Sequence, residues 1–376
     1  MIICQKIRVS VVLLLLPGLV LLQACGGNFP DGTLLPPDSE RYNPSLFPQS
    51  QAPQDDPQPV PDDVPTDLSV WVAYWRLAGG MPELAELAPR LSSVNVFAAH
   101  FDSENRLFVA EEFEDVLPDI AALCTQNDAV RYLTLVNDRV NPNGSYSLKD
   151  DALLRELLAT ERTRTAHTEE IAALLIEGGY GGVEVDYERM PDDLWGAFSL
   201  FLAQLYDRLS EEGLTLRVVL ESDLPEDAAA LPEGPEYAVM VYNLYGQHGG
   251  PGPKADIAFI KDTASRAAAL PGDVRLAFAA GGFDWAEGAP TEDVTGTRAE
   301  ELAHEYGASS VRDSASGCLY FDYTAPDGTA HTVWYSDEQT LTLWIETARA
   351  SGCKDIALWV LGGNTRDTIA CLAGLR

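Results

Sequence analysis

Basic residues are scarce in this chain. Lys and Arg number 25 against 58 Asp and Glu in 376 residues, a formal net charge of −33. That balance excludes a nucleic-acid partner, because phosphate binding needs clusters of Lys and Arg. The cysteines lack the C-x-x-C rhythm of a zinc site and no metal-ligand cluster is evident, so no metal or other cofactor is expected. No Gly-rich nucleotide loop follows the first apolar run of the folded region. A comfortable membrane span is missing too: the apolar run from Val11 to Leu22 is short and broken by Pro17 and Gly18.

That run is instead an export signal, with Lys6 and Arg8 before it and Leu22-Gln23-Ala24-Cys25-Gly26 at its end. The ending resembles the lipobox of bacterial lipoproteins, which implies that Cys25 is lipidated and becomes the first mature residue. Residues 1–25 are thus expected to be the signal. From 26 to 67 the chain is rich in Pro, Asp, Gln and Ser, as in "PQSQAPQDDPQPVPDDVPTD". Such a segment cannot bury enough apolar surface to order itself and is expected to act as a tether. The folded domain is expected over 68–376, and the 46% hydrophobic content of the chain suits a sizeable core. Cys124, Cys318, Cys353 and Cys371 fall in it; an exported protein permits disulfides, and Cys353–Cys371 is the expected pair among three possible pairings.

From residue 68 onward, short apolar runs alternate with helical patterns. Strands are predicted over 69–75, 93–101, 131–137, 181–188, 214–222, 237–245, 274–283 and 355–363. Most are near-continuous apolar runs, as parallel strands covered on both faces require. The clearest helix has Leu194, Phe198, Phe201, Leu202, Leu205 and Leu209 at helical spacing, Asp192 and Asp193 at its start and Gly213 after its end. Eight such units in about 310 residues predict a (β/α)8 TIM barrel, with an open doubly wound sheet as the alternative. "CLYFDYTAPDGTAHTVWY" (318–335) interrupts the alternation and reads as a β-hairpin insertion between strands seven and eight, turning at Ala325-Pro326-Asp327-Gly328. A hairpin there would wall a cleft at the barrel mouth.

The fourth predicted strand alternates Val183, Val185 and Tyr187 with Glu184, Asp186 and Glu188. A strand repeats every two residues, so the three acids share one face. On an isolated edge strand that face would simply be solvated. A fourth barrel strand has no edge, so its acids point inside or sit at the rim, and Glu188 lies nearest the C-terminal face where barrels keep their chemistry.

Here the sequence resembles the family 18 glycoside hydrolases, the chitinase-like barrel family. Their fourth strand carries D-G-x-D-x-D-x-E, matched here by Gly181-Gly182-Val183-Glu184-Val185-Asp186-Tyr187-Glu188, with the first two acidic positions replaced by Gly181 and Glu184. Met240-Val241-Tyr242-Asn243 stands where the family has M-x-Y-D, and Trp359 resembles its strand-eight tryptophan. "GGFDW", "GQHGGPGP" and the stretch from Tyr320 to Gly352 are similar to the branch that acts on spore-cortex peptidoglycan. The S-x-G-G motif of typical chitinases is absent, which points the same way.

The resemblance implies substrate-assisted hydrolysis, in which the N-acetyl oxygen of the substrate attacks its own anomeric carbon. Glu188 would protonate the leaving oxygen, and Asp186 would share its proton and then hydrogen-bond the acetamide nitrogen. Tyr242 would bond the acetamide oxygen. Trp359 would stack beneath the sugar or else be a core aromatic, and Tyr74 would join that floor or merely pack. Glu184 is either an acid tuning Asp186 or a buried group with a partner elsewhere. Asn243, where the family usually has Asp, is expected to lower the pH range in which the acidic pair keeps its proton. A glycan-binding protein on the same barrel is the alternative function; inactive relatives commonly lose the acid that Glu188 provides here. The expected partners are an N-acetylglucosamine-containing glycan and, through the lipid, a membrane, with the protein itself a monomer.

Overall fold

The computed structural model describes residues 58–61, 63–225, 228–247 and 249–375. The Cys25 lipobox and the tether up to residue 57 lie outside these described residues. Eight strands form the barrel: β1 Asp67–Ala73, β2 Ser93–Phe101, β3 Val130–Val140, β4 Gly182–Asp186, β5 Thr215–Leu220, β6 Glu236–Met240, β7 Val274–Ala279 and β8 Asp355–Trp359. Each pairs in parallel with its neighbours, β8 returns to β1, and β2 pairs with β3, so the sheet closes on itself. The predicted (β/α)8 TIM barrel is the observed fold.

Outside the barrel, α1 Leu77–Leu87 follows β1, α2 Leu117–Gln126 follows β2, and α3 Asp151–Leu158 with α4 Glu161–Gly178 follow β3. α5 Trp195–Ser210 follows β4 and α6 Ile257–Ala267 follows β6. α7 Gly296–Glu305 and α8 Glu338–Ala350 lie between β7 and β8, and α9 Arg366–Ala373 closes the chain. Between β5 and β6 the described residues hold only a 3-10 turn, Ala228–Ala230. Asp192 and Asp193 open a short 3-10 turn that leads into α5, whose Phe198, Phe201, Leu202, Leu205 and Leu209 are buried at the helical spacing read from the sequence.

The period of two along each strand divides the core. Val70 and Val72 of β1, Val94 and Val96 of β2, and Val183 and Val185 of β4 join the large apolar layer between barrel and helices. Trp71, Ala73, Phe97, Val136, Val219, Met240 and Ala357 form a second cluster with Tyr242, Trp75 and Trp359 packed against it. That cluster fills the barrel interior, as side chains do in small barrels.

The run predicted as one strand over 274–283 is two. β7 ends at Ala279, and Gly281–Ala286 begins a separate five-stranded antiparallel sheet with Glu292–Val294, Val311–Arg312, Leu319–Thr324 and Ala330–Ser336. The turn is possible because Gly281 takes φ +70°, and a Cβ on Gly282 would lie 1.7 Å from the Trp334 carbonyl oxygen. The predicted hairpin is the Leu319–Thr324/Ala330–Ser336 pair, with Gly328 at φ +93° in its turn. α7 covers one face of this sheet through Val294, Ala299, Leu302, Phe321, Val333 and Tyr335.

The expected Cys353–Cys371 disulfide is corrected: Cys124, Cys318, Cys353 and Cys371 are all free thiols. Cys371 Sγ lies 3.3 Å from Thr342 Oγ1 in the first turns of α8, whereas the Cys353 amide bonds Ala348 O at the other end of that helix. At about 1.5 Å per residue the helix separates the two thiols far beyond disulfide reach.

Candidate active site

β4 carries its acids inward. Glu184 is fully buried and accepts hydrogen bonds from Trp71 Nε1 at 2.5 Å and Thr134 Oγ1 at 2.8 Å. Arg217, at the same level of β5, donates to it at 3.4 Å. Burial pushes the Glu184 carboxyl up, and Arg217 opposes the shift. Glu184 thus has a partner elsewhere, and its charge also bears on Asp186, so both readings open for it remain. Arg217 is the partner that sequence reasoning missed, and only the strand register reveals it.

Asp186 is the last residue of β4 and buried, and its Oδ1 has no hydrogen-bond partner. Burial, then the charge of Glu188, then that of Glu184, raise its pKa well above the ordinary carboxylate range. Glu188 stands two residues beyond the strand. Its backbone is clamped by the Asn137 side chain, which accepts from the Glu188 amide at 3.0 Å and donates to its carbonyl at 3.1 Å. The Glu188 carboxylate forms an ion pair with Lys149, from the loop after β3. Glu221, just past β5, accepts from the Arg189 amide at 2.8 Å; burial and then the Glu188 charge push its carboxyl up. Asp138 accepts from the Lys149 amide at 2.8 Å, and burial raises it as well. Lys149, Asn137, Asp138 and Glu221 left no motif in the sequence.

Trp359 ends β8, with a cis peptide to Val360. Its ring meets Phe97 at 5.2 Å, Trp71 at 5.8 Å and Trp75 at 6.2 Å between centroids. Tyr242, two residues past β6, packs half-buried against the same interior cluster. The structure therefore gathers Trp359 and Tyr242 above the polar layer that holds Glu184, and Trp71 touches both Trp359 and Glu184. Tyr74 lies in the turn after β1, where its ring meets Trp75 at 4.7 Å and His100 at 5.9 Å. Burial, helped by Tyr146 and Asp138, pushes its hydroxyl up to about 12. It is the neighbouring Trp75 whose ring reaches Trp359, and the aromatic pair directly after β1 was the signal for it. The Asn243 amide lies 3.9 Å from Met240 Sδ.

A buried carboxyl that binds its proton more tightly than usual, a second carboxylate at the rim, and an aromatic floor form a site suited to proton transfer onto a ring-shaped polar ligand. Among the described residues no group of three His, Cys, Asp or Glu is placed to hold a metal ion. No helix among them is long and apolar enough to cross a membrane.

The fold defines a class, the TIM barrels whose chemistry sits at the C-terminal strand ends. No protein-family profile matches the chain. Among curated proteins it is 24% identical over 294 residues to the provisionally named sporulation-specific glycosylase YdhD of Bacillus subtilis, covering 73% of this chain and 67% of that protein. Among solved structures it is similar to the Bacillus cereus spore cortex-lytic enzyme SleL, with TM-score 0.73, 19% identity, and 84% and 76% of the two chains covered. A chitinase from Chromobacterium violaceum gives TM-score 0.71 at 21% identity, over 82% of this chain and 98% of that one.

Proposed function

We propose that this protein is a glycoside hydrolase of the family 18 type. It would cleave β-linked N-acetylglucosamine-containing glycans, of peptidoglycan or chitin, with retention of configuration. The carrying observation is the β4 alternation: Glu184 and Asp186 project into the barrel and Glu188 stands at its rim, beside an aromatic floor. The glycosylase, cortex-lytic enzyme and chitinase to which the chain is similar support the same reading.

Glu188 donates its proton to the oxygen of the departing sugar. The substrate's acetamide oxygen attacks the anomeric carbon, and the glycosidic bond breaks to leave an oxazolinium ion. Asp186 Oδ1, buried and without a partner, is the acceptor for the acetamide N–H. Tyr242 bonds the acetamide oxygen and Trp359 supports the ring from below. Glu188, now ionised, takes a proton from the water that opens the oxazolinium. Glu184 acts from behind, its charge matched by Arg217 and adding to burial and to the Glu188 charge in raising the Asp186 carboxyl. Tyr74 and Asn243 border the site without a step of their own.

The lipobox carries the second half of the proposal. Lipidation at Cys25 would anchor the enzyme to the cell envelope by a tether, with the barrel on the exported side, where such glycans lie. Release of reducing sugar from N-acetylglucosamine oligomers and from purified peptidoglycan tests the activity; binding without release would leave a lectin on the same barrel.

A further inference from the structure

The ion pair with Lys149 occupies the Glu188 carboxyl that the proposed mechanism turns toward the leaving oxygen, so the pair has to part before Glu188 can serve there. The pair is built into the loop. Lys149 takes φ +52°, a backbone conformation that residues with a Cβ rarely adopt, and its amide is fixed on Asp138. Asp150 follows, its amide on Asn137 O at 2.8 Å and its carboxylate on Arg139 at 2.6 Å, and it caps α3. The same Asn137 clamps the backbone of Glu188. Both partners are thus located by one residue of β3, and the Lys149 side chain remains a quarter exposed where Glu188 is mostly covered.

The charged groups that act on the pair are Asp186 on β4, Asp138 on β3 and Glu221 beyond β5, with Glu184 behind Asp186, Asp223 behind Glu221 and Arg189 beside the acid. A ligand that draws the ammonium away from Glu188 in such company must itself carry a negative charge. It must also lie on the leaving side of the scissile bond, because that is where a proton donor stands. In a 1,4-linked glycan the leaving oxygen is O4 of the next sugar, and O3 is on the neighbouring ring carbon. In chitin O3 is a hydroxyl; in N-acetylmuramic acid it bears a lactyl group that ends in a carboxyl.

Resting on the hydrolase reading above, we infer that Lys149 is a specificity-determining residue that binds a free lactyl carboxylate on the leaving-side sugar. The preferred substrate is then a peptidoglycan strand stripped of its peptides, since a peptide-linked lactyl group is an amide without charge. The reaction that supplies it is hydrolysis of the amide between lactyl group and peptide. When the carboxylate takes the ammonium, the Glu188 carboxyl is released to act on the leaving oxygen. On a neutral leaving sugar the ammonium stays on Glu188 and turnover is slow.

The test compares full-length protein, Lys149→Met and Lys149→Arg on peptide-free glycan strands, on the same strands with the lactyl carboxyl converted to a methylamide, and on chitin oligomers. The wild type should favour the free carboxylate over the amide by about tenfold or more in kcat/KM, Met should abolish that preference, and Arg should keep most of it. Equal wild-type rates on acid and amide strands, or a Met loss of the same size on every substrate, would overturn the inference. If the wild type cleaves none of these glycans, the hydrolase reading fails by itself. Calorimetric binding of acid and amide strands to wild type and Lys149→Met then decides the recognition separately: a carboxylate preference confined to wild type supports it, and its absence ends it.

Discussion

Arg217 and Glu184 face each other across adjacent strands in the barrel interior, Nη1 to Oε2 at 3.4 Å, with both side chains nearly or fully sealed from solvent. The guanidinium also donates to Asn95 Oδ1 at 3.0 Å, Ser93 Oγ at 3.1 Å and Glu236 at 2.9 Å, and lies 4.3 Å over the Tyr132 ring. Arg275 on β7 joins Glu236 to Asp67, so the polar layer crosses much of the barrel below the aromatic floor. The arrangement fixes the Glu184 carboxylate behind Asp186.

Arg217→Met should destabilise the fold by about 3–5 kcal/mol, the range for a buried charge stripped of its partner. The loss should be partly restored in the Arg217→Met/Glu184→Gln double variant. Denaturant midpoints of the single and double variants measure both.

Asp186→Asn should stabilise the protein at neutral pH while abolishing turnover. The folded-state pKa of Asp186 is raised from 3.8, so the wild type loses stability as pH climbs above about that value and up to the folded pKa. Asn does not ionise. The gain should be absent below about pH 4 and then grow by about 1.4 kcal/mol for each pH unit, levelling off where the folded carboxyl itself ionises. Melting curves of both proteins across that range give the answer, and a gain that does not vary with pH would contradict it.

Glu188→Gln should lower kcat by about a hundredfold or more and leave binding of N-acetylglucosamine oligomers largely intact. Steady-state rates and a binding isotherm on the same preparation check it. Near-normal turnover would move the acid elsewhere.

The barrel was legible because its strands are covered on both faces and so read as apolar runs, and because the acids of β4 follow a period of two. What the sequence could not show was pairing across strands. Arg217 meets Glu184 only through the barrel register, and Lys149 reaches Glu188 from a loop with no pattern of its own. Gly281 and Gly282 hid a chain reversal inside what reads as one strand, so the Gly281–Ala286 strand of the second sheet merged with β7 in the sequence pattern. Cys353 and Cys371 are near in sequence yet lie at opposite ends of α8, which is why sequence distance misjudged their pairing.

Cys25→Ser should leave the membrane fraction or remain unprocessed in the producing cell. Fractionation with labelling by a radioactive fatty acid measures it, and a variant that still matures as a lipoprotein would contradict the anchor.

Substrate assistance is the central claim, and the configuration of the first-formed product tests it most directly. Proton NMR of an N-acetylglucosamine oligomer during the first minutes of hydrolysis should show the β anomer appearing before mutarotation, because two inversions at one carbon cancel. The same oligomer with a free amine at the scissile sugar should bind without cleavage. An α anomer as the first product, or cleavage of the amine substrate at a comparable rate, would contradict the account.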